Sequence, residues 1–156
     1  MTTLKHISTR NEALPTVSIV TVTYNANALV ENTLDNIRKQ DYPNKEIIVI
    51  DGNSTDGTTD IIKSCAARGS VTKWISENDN GIYDAMNKGV NMATGEWIIF
   101  MNAGDYFASD NVLSQIFCQD FSCLCPLFRF RNRYICGFDF AEFFENASEV
   151  LSFVGG

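Results

Sequence analysis

The chain has 156 residues, enough to bury one hydrophobic core, and its hydrophobic fraction of 45% is ordinary for a globular protein. A net charge of −7 without a basic patch argues against nucleic acid as a partner. No apolar run approaches the roughly 18 residues that span a bilayer, and the N-terminus lacks the apolar segment of a signal peptide, so we expect a cytoplasmic protein.

The first predicted elements are a strand and a helix that follow a flexible leader, residues 1–15. The β-branched run from Val17 to Asn25 predicts a strand that ends in polar side chains. Asn27 is a helix-capping residue type and is predicted to begin a helix that continues to Gln40. Three apolar residues of that helix fall at helical spacing and would face the core: Val30, Leu34 and Ile37.

A second strand and helix repeat this design. The run from Lys45 to Asp51 is again rich in β-branched residues and ends in a carboxylate. A helix is predicted from Thr58 to Ala67, and Gly69 would close it because glycine favours the position after a helix. Val71 to Ser76 predicts a short third strand.

A third helix and a fourth strand complete the alternation. Small and apolar residues from Ile82 to Ala93 recur at spacings of three and four, which predicts a helix after the polar turn at residues 77–81. The run from Glu96 to Met101 predicts a buried strand, and a short helix is predicted near Ser109. Strands and helices that alternate in this way predict the α/β class, with a mostly parallel sheet and helices on both faces.

Three of these strands end in polar residues, marked by Asn25, Asp51 and Asp105. Open α/β sheets bind ligands at the carboxyl ends of their strands, so three such ends side by side would form a polar rim for a nucleotide and a metal. The Asp105 carboxylate suits Mg²⁺ or Mn²⁺, and Asn102 would add a carbonyl or water-mediated contact. The only histidine, His6, lies in the leader, which excludes a histidine-based metal site or a Ser-His-Asp triad.

Asp51 has two interpretations that the sequence leaves open. It could accept a hydrogen bond from a base or a ribose, because it ends a buried strand. It could instead form an Asx-type turn that caps the next helix. Asp56 fits that capping role better, because it lies just before the helix.

Asp84, Asn87 and Lys88 on the third predicted helix also have two interpretations. Asp84 and Lys88 are four residues apart and would form a solvated salt bridge on an exposed helix face. Alternatively, the loop before the helix leaves its N-terminus free, and helix N-termini favour anions such as a diphosphate. In that case Asp84 and Asn87 would lie beside the ligand.

Four motifs, in this order, resemble the nucleotide-binding half of a family 2 glycosyltransferase with the Rossmann-like GT-A fold. They are Thr23-Tyr-Asn25, Asp51-Gly-Asn-Ser-Thr-Asp-Gly57, Asn80-Gly-Ile-Tyr-Asp-Ala-Met-Asn-Lys-Gly89 and Asn102-Ala-Gly-Asp105. The third is similar to a branch found among bacterial capsule and exopolysaccharide transferases, including colanic-acid-type enzymes. The resemblance spans Val17 to about Phe107.

The resemblance implies a role for each matching residue. Thr23, Tyr24 and Asn25 would line the base and ribose pocket, Asp51 would contact the nucleoside, and Asp84 and Asn87 would lie along the ribose-diphosphate path. Asp105 matches the last Asp of the family's DXD-type metal motif. With Asn102 it would hold Mn²⁺ or Mg²⁺ against the diphosphate of a nucleotide-diphosphate sugar, and the cation would stabilise charge on the departing nucleoside diphosphate.

Three positions depart from the family pattern. Many members have two adjacent Asp residues where this chain has Asp51-Gly52, which leaves the identity of the base open. Many have Arg where this chain has Met86. The metal motif keeps Asp105 as its one carboxylate, because Asn102 and Gly104 occupy the other positions.

Nothing after Phe107 resembles the downstream half of the family's members. We expect a nucleotide-sugar-binding half-domain at residues 16–117 and an unassigned tail, rich in Phe and Cys, at residues 118–156. Family members usually continue with an acceptor-binding half that supplies the general base, so the fold is expected to be truncated and the base is unassigned. Exposed apolar side chains in the tail would favour self-association or peripheral contact with a membrane surface.

Three functions therefore remain open. The first is sugar transfer from a nucleotide sugar to a glycan or lipid-linked acceptor in cell-surface polysaccharide synthesis, with inversion expected from the family. The second is a nucleotide-binding remnant without turnover. The third is a metal-binding module in the tail, although the spacing of its four cysteines lacks the paired C-x2-C pattern of structural zinc sites.

Overall fold

The protein, described here by a computed structural model, has strands and helices that alternate along residues 14–117, and two further strands lie beyond this range. The structure describes residues 14–117, 128–130 and 133–136. The elements are β1 (Val17–Thr23), α1 (Val30–Lys39), β2 (Lys45–Asp51), α2 (Thr58–Ala67), β3 (Lys73–Ser76), α3 (Ile82–Met92), β4 (Trp97–Phe100), α4 (Val112–Phe117), β5 (Phe128–Phe130) and β6 (Arg133–Cys136).

All six strands lie in one sheet, in the order β3-β2-β1-β4-β6-β5. Every neighbouring pair is parallel except β5 with β6. The neighbouring strands β1 and β2 pair along their full length from Val17 with Lys45 to Thr23 with Asp51. The predicted α/β class with a mostly parallel sheet is confirmed.

Helices cover both faces of the sheet, as predicted. On one face α1, α2 and α4 pack over a core that includes Leu34, Ile62 and Leu113. On the other face α3 packs against β1 and β2, and Ala85 and Ala93 are buried there. The β-branched residues of β1 and β2 are divided between the two cores, so these strands are buried on both faces, which is typical of parallel sheets.

The helix ends show one correct and one wrong prediction. Gly69 closes α2 with φ +75, and the N–H of Ser70 donates to the carbonyl of Cys65. The prediction that Asn27 caps the first helix is wrong, because α1 begins at Val30 and no side chain caps it. The Asn27 side chain instead donates to the carbonyl oxygen of Asp56, so a partner from another loop displaces the local cap.

The amino ends of the strands are joined by a buried network around Glu46. Its Oε1 accepts hydrogen bonds from Ser18 Oγ at 2.6 Å and Thr94 N at 2.6 Å, and its Oε2 accepts one from Lys73 Nζ at 3.0 Å. Burial acts to raise the pKa of Glu46, but these hydrogen bonds outweigh it and lower the pKa to about 2. The network therefore joins β1, β2, β3 and the end of α3 at the edge opposite the predicted rim.

Two groups of predictions concern the rest of the chain. Residues 1–13 of the leader lie outside the described residues. Beyond residue 117 only the backbones of β5 and β6 are described, so the zinc alternative and the predicted contacts of the tail also concern side chains outside the described residues. Among the described residues, no helix combines the length and apolarity needed to cross a membrane.

Candidate functional site

The carboxyl ends of β1, β2 and β4 meet at one edge of the sheet, as the sequence predicts. Thr23 pairs with Asp51 at the end of the β1–β2 ladder. Beyond β4 the chain stays beside β1, since the N–H of Met101 donates to Val20 O and the N–H of Ala103 donates to Val22 O. The loops after these three strands therefore form one rim.

The three residues at the end of β1 are placed differently. Tyr24 is 65% exposed, so its ring is open to solvent at the rim. Asn25 adopts a left-handed conformation (φ 47), and its Oδ1 accepts a hydrogen bond from Thr55 N at 2.9 Å. Thr23 is buried, and its Oγ1 has no hydrogen-bond partner among the described residues. The Tyr24 side chain is thus open to solvent, while Asn25 holds the loop after β2 in place.

Asp51 is fully buried and accepts four hydrogen bonds from the protein. The donors are Ser54 N at 3.0 Å, Thr59 Oγ1 at 3.1 Å, Ser76 Oγ at 2.5 Å and the hydroxyl of Ser54. A carboxylate offers about four acceptor positions, so these four hydrogen bonds fill all of the acceptor positions of Asp51. Asp51 therefore holds the rim loop together, and a contact to a nucleoside would replace one of these bonds.

Asp56 forms the turn predicted for it. Its Oδ1 accepts a hydrogen bond from Thr58 N at 3.0 Å, and its Oδ2 accepts one from Asn27 N at 3.0 Å. These hydrogen bonds, the largest contribution being that of the Thr58 hydroxyl, lower the pKa of Asp56. Asp56 consequently joins the loop after β1 to the start of α2.

Asp79, a residue that was not predicted from the sequence, lies at the rim beside Gly52 and Tyr24. A Cβ atom placed on Gly52 would lie 2.7 Å from Asp79 Oδ2 and 3.3 Å from Tyr24 Cδ2. Asp79 therefore fills the space that a side chain at position 52 would need, which explains why glycine follows Asp51 in this chain. The signal was available, because Asp79 lies shortly after β3, at the same edge of the sheet as the other three strand ends.

Two carboxylates bind backbone N–H groups at the start of α3, so this helix end is not free as one of the two interpretations of the sequence had it. Asp79 Oδ1 accepts a hydrogen bond from Gly81 N, and Asp84 Oδ2 accepts one from Asn80 N, both at 3.0 Å. Because these carboxylates already face the positive end of the helix dipole, a diphosphate would reach this helix end with less favourable electrostatics. Asn87 is exposed on the same helix.

Lys88 connects α3 to the loop that precedes it. Its Nζ donates to Asn78 O at 2.7 Å and lies 3.0 Å from Glu77 Oε1 and 3.6 Å from Asp84 Oδ2. The predicted pair of Asp84 and Lys88 is present. Desolvation acts to lower the pKa of Lys88, but the hydrogen bond to Glu77 and the charge of Asp84 outweigh it and raise the pKa.

Asn102 and Asp105 form a tight turn after β4. Asp105 Oδ2 accepts from Asn102 N at 3.0 Å, Asn102 O accepts from Asp105 N at 2.9 Å, and Gly104 supplies the positive φ of 104 that the turn needs. Asp105 is exposed. Asn102 Oδ1 is buried and has no hydrogen-bond partner among the described residues.

These two side chains fit part of a divalent-cation site. An exposed carboxylate and an unpartnered amide oxygen, three residues apart, are hard oxygen ligands of the kind that Mg²⁺ and Mn²⁺ prefer. Within residues 14–117 no group of three or more His, Cys, Asp or Glu side chains is placed to hold a metal. The remaining ligands would be substrate phosphates and water, as is usual for Mg²⁺.

Comparison with known proteins identifies related sequences. The family model described as Glycosyl transferase family 2 matches residues 18–122. The PGL/p-HBAD biosynthesis glycosyltransferase of Mycobacterium tuberculosis is 37% identical over 105 residues, which cover 67% of this chain and 41% of the relative. The putative teichuronic acid biosynthesis glycosyltransferase TuaG of Bacillus subtilis is 32% identical over 111 residues, 70% of this chain and 44% of TuaG. The chain spans less than half the length of these relatives.

Solved structures resemble the same region. The mannosyltransferase PcManGT of Pyrobaculum calidifontis, solved in complex with GDP-Man and Mn²⁺, matches with a TM-score of 0.62 and 32% identity, covering 65% of this chain and 31% of PcManGT. Residues 1–349 of TarS from S. aureus, in complex with UDP-GlcNAc, match with a TM-score of 0.57 and 27% identity, covering 64% of this chain and 29% of that chain.

Proposed function

The chain belongs to glycosyltransferase family 2, and from this membership we propose that the rim binds the diphosphate of a nucleotide sugar through Mn²⁺ or Mg²⁺. The protein would transfer the sugar to a glycan or lipid-linked acceptor in cell-surface polysaccharide synthesis. The relatives' names support this proposal, since TuaG is a putative teichuronic acid biosynthesis glycosyltransferase. The neighbours PcManGT and TarS were solved with GDP-Man and UDP-GlcNAc, so the base of the donor is left open.

The observation that carries this proposal is the pairing of the exposed Asp105 carboxylate with the unpartnered Asn102 Oδ1 beside the end of β1. Both would be oxygen ligands of the cation. When bound, the cation would supply positive charge that stabilises the departing nucleoside diphosphate. Asp79 and Asp84 make the rim acidic, and Lys88 is already paired, so a diphosphate would be repelled without a cation.

The other predicted site residues would act on the nucleoside side of the rim. Tyr24 offers an exposed ring next to Gly52, and Thr23 and Asn25 would shape the pocket around the base and ribose. Asp51 would contact the nucleoside only by exchanging one of its present hydrogen bonds. Asp84 and Asn87 would lie along the ribose-diphosphate path, with the charge of Asp84 offset by the cation.

We expect donor binding to require both the metal and Asp105. Thermal unfolding of the full chain with UDP-, GDP- or dTDP-sugars at one hundred times the dissociation constant should show about 2.7 kcal/mol of stabilisation for the correct donor in Mn²⁺. The stabilisation should vanish in EDTA. Asp105→Ala should remove it at every Mn²⁺ concentration, because the one carboxylate ligand in the turn is gone.

Asp110→Ala is the matched control. Asp110 is an exposed aspartate whose backbone carbonyl accepts from Asp41 N, after α1, on a loop away from the rim. This variant should keep the full metal-dependent shift. An unshifted unfolding curve with every donor, or a shift that persists in EDTA, would contradict the proposal. An assay of nucleoside diphosphate release then distinguishes the two functions. An enzyme that transfers the sugar or hydrolyses the donor releases the nucleotide, whereas a remnant that only binds the donor does not.

A further inference from the structure

Three polar side chains, two in α1 and one directly after it, bind the backbone of the segment after β4. Thr33 and Asn36 are three residues apart and share a face of α1, and Gln40 is the residue that follows the helix. Thr33 and Gln40 are 2% exposed. None of these side chains would be expected on a helix face that packs against a hydrophobic core, where apolar residues normally lie.

The contacts are made with main-chain atoms. Thr33 Oγ1 accepts from Gly104 N at 2.9 Å. Asn36 uses both ends of its amide on one residue, since its Oδ1 accepts from Phe107 N at 2.7 Å and its Nδ2 donates to Phe107 O at 3.2 Å. Gln40 bonds farther along the segment, where its Nε2 donates to Ser109 O at 2.6 Å and its Oε1 accepts from Leu113 N at 3.1 Å.

Two of these three side chains bracket Asp105. Thr33 binds Gly104, the residue before Asp105, and Asn36 binds Phe107, two positions after Asp105. The turn itself has the short-range bonds between Asn102 and Asp105 and one backbone bond to β1, from Ala103 N to Val22 O, and Gly104 gives it a backbone with little intrinsic stiffness. The side-chain anchors on either side of Asp105 come from α1.

We infer that Thr33 and Asn36 are positioning residues for the metal carboxylate, and that they act through the backbone without touching metal or substrate. This inference rests on the proposed function, in which Asp105 binds a divalent cation. Octahedral Mg²⁺ and similar cations tolerate little displacement of a ligand at about 2.1 Å, so loss of either anchor weakens metal binding. Groups that orient metal ligands typically change metal affinity by about 10–100-fold when they are removed.

The test measures Mn²⁺ affinity of the full chain by electron paramagnetic resonance, in the presence of UDP, GDP or dTDP, whichever binds the wild-type protein. Thr33→Val and Asn36→Leu should each raise the dissociation constant of Mn²⁺ by about tenfold or more. Thr33→Ser keeps an acceptor for Gly104 N and should restore the affinity to within about threefold of the wild-type value. Asn36→Asp, which keeps the acceptor for Phe107 N, provides a milder second variant if Asn36→Leu does not fold.

Gln40→Met is the matched control, because Gln40 directly follows α1 and makes the same kind of bond outside the metal turn. It should lower the unfolding temperature but leave Mn²⁺ affinity unchanged. The inference is overturned, and the proposed function is left standing, by either of two results. One is that Gln40→Met weakens Mn²⁺ binding as much as the Thr33 and Asn36 variants do. The other is that the Thr33 and Asn36 variants fold and bind Mn²⁺ with wild-type affinity. A wild-type protein that binds no Mn²⁺ with any nucleoside diphosphate overturns the proposed function and the inference with it.

Discussion

Replacing Glu46 with Gln should lower the free energy of unfolding at pH 7 by about 3 kcal/mol. This magnitude corresponds to the difference between the ordinary pKa of glutamate, 4.5, and the pKa of about 2 in the folded protein. The Glu46 side chain is 8% exposed and lies 3.0 Å from Lys73 Nζ. The substitution removes the carboxylate charge that strengthens the hydrogen bonds of the Glu46 network, and Lys73, whose side chain is 35% exposed, loses its charged partner. Urea unfolding of both proteins at pH 7 measures the difference.

The pH dependence gives a second measurement on the same variant. The folded pKa of Glu46, about 2, is lower than its ordinary value of 4.5. The stabilisation is therefore fully present above about pH 4.5 and is lost as the pH falls towards 2. Glu46→Gln should flatten the fall in stability of the wild-type protein over this interval.

Glu96→Gln provides the control at the same edge of the sheet. Glu96 is exposed and makes one long contact, with its Oε1 accepting from Thr16 N at 3.4 Å. An exposed substitution of this kind should change stability by no more than about 0.5 kcal/mol. If Glu46→Gln changed stability at pH 7 no more than Glu96→Gln does, the pKa of Glu46 would not be lowered by the network.

Replacing Gly89 with Ala should destabilise the protein by about 1–3 kcal/mol, although alanine favours a helix by about 1 kcal/mol over glycine. A Cβ atom on Gly89 would overlap Val20 Cγ1 and would lie 3.3 Å from Val20 Cγ2. Val20 is a fully buried residue of β1 with a stiff β-branched side chain, so it has little freedom to move away. The substitution would therefore push α3 off the sheet.

A double-mutant cycle separates this overlap from other effects. Val20→Ala alone should destabilise by creating a cavity, but the combination with Gly89→Ala should cost less than the two single changes added together, by more than 1 kcal/mol. Asn91→Ala, at an exposed position of α3, is the control and should be neutral or slightly stabilising. Additive single effects, measured by urea unfolding, would show that α3 and β1 do not meet closely at Gly89.

The order of strands and helices could be predicted because it depends on local patterns. β1 and β2 are β-branched runs bounded by turn residues, and Gly69 closes α2 through its own backbone conformation. The error at Asn27 arose from a partner far along the chain, since Asp56 competes for its hydrogen bonds. Residue spacing cannot reveal such a partner.

The rim shows more clearly that residue spacing does not reveal hydrogen-bond partners that are distant in sequence. The strand ends were correctly expected to lie at one edge, yet Ser76, one of the donors to Asp51, comes from β3, 25 residues later. The Glu46 network also joins residues that are distant in sequence, and its glutamate lies in an otherwise apolar strand. Tertiary contacts determine whether such a carboxylate is open to a ligand or satisfied by the protein, so the roles of Asp51, Asp84 and Asn87 stay predictions.

The close approach of Asp79 to Gly52 has a consequence for attempts to change which donor the protein accepts. Any larger residue introduced at position 52 must displace the Asp79 carboxylate, whose other oxygen accepts a hydrogen bond from Gly81 N at the start of α3. The two positions are coupled across the loops that follow neighbouring strands. Mutant libraries aimed at the nucleoside pocket should therefore randomise both positions together, since single-site libraries would sample mostly overcrowded combinations.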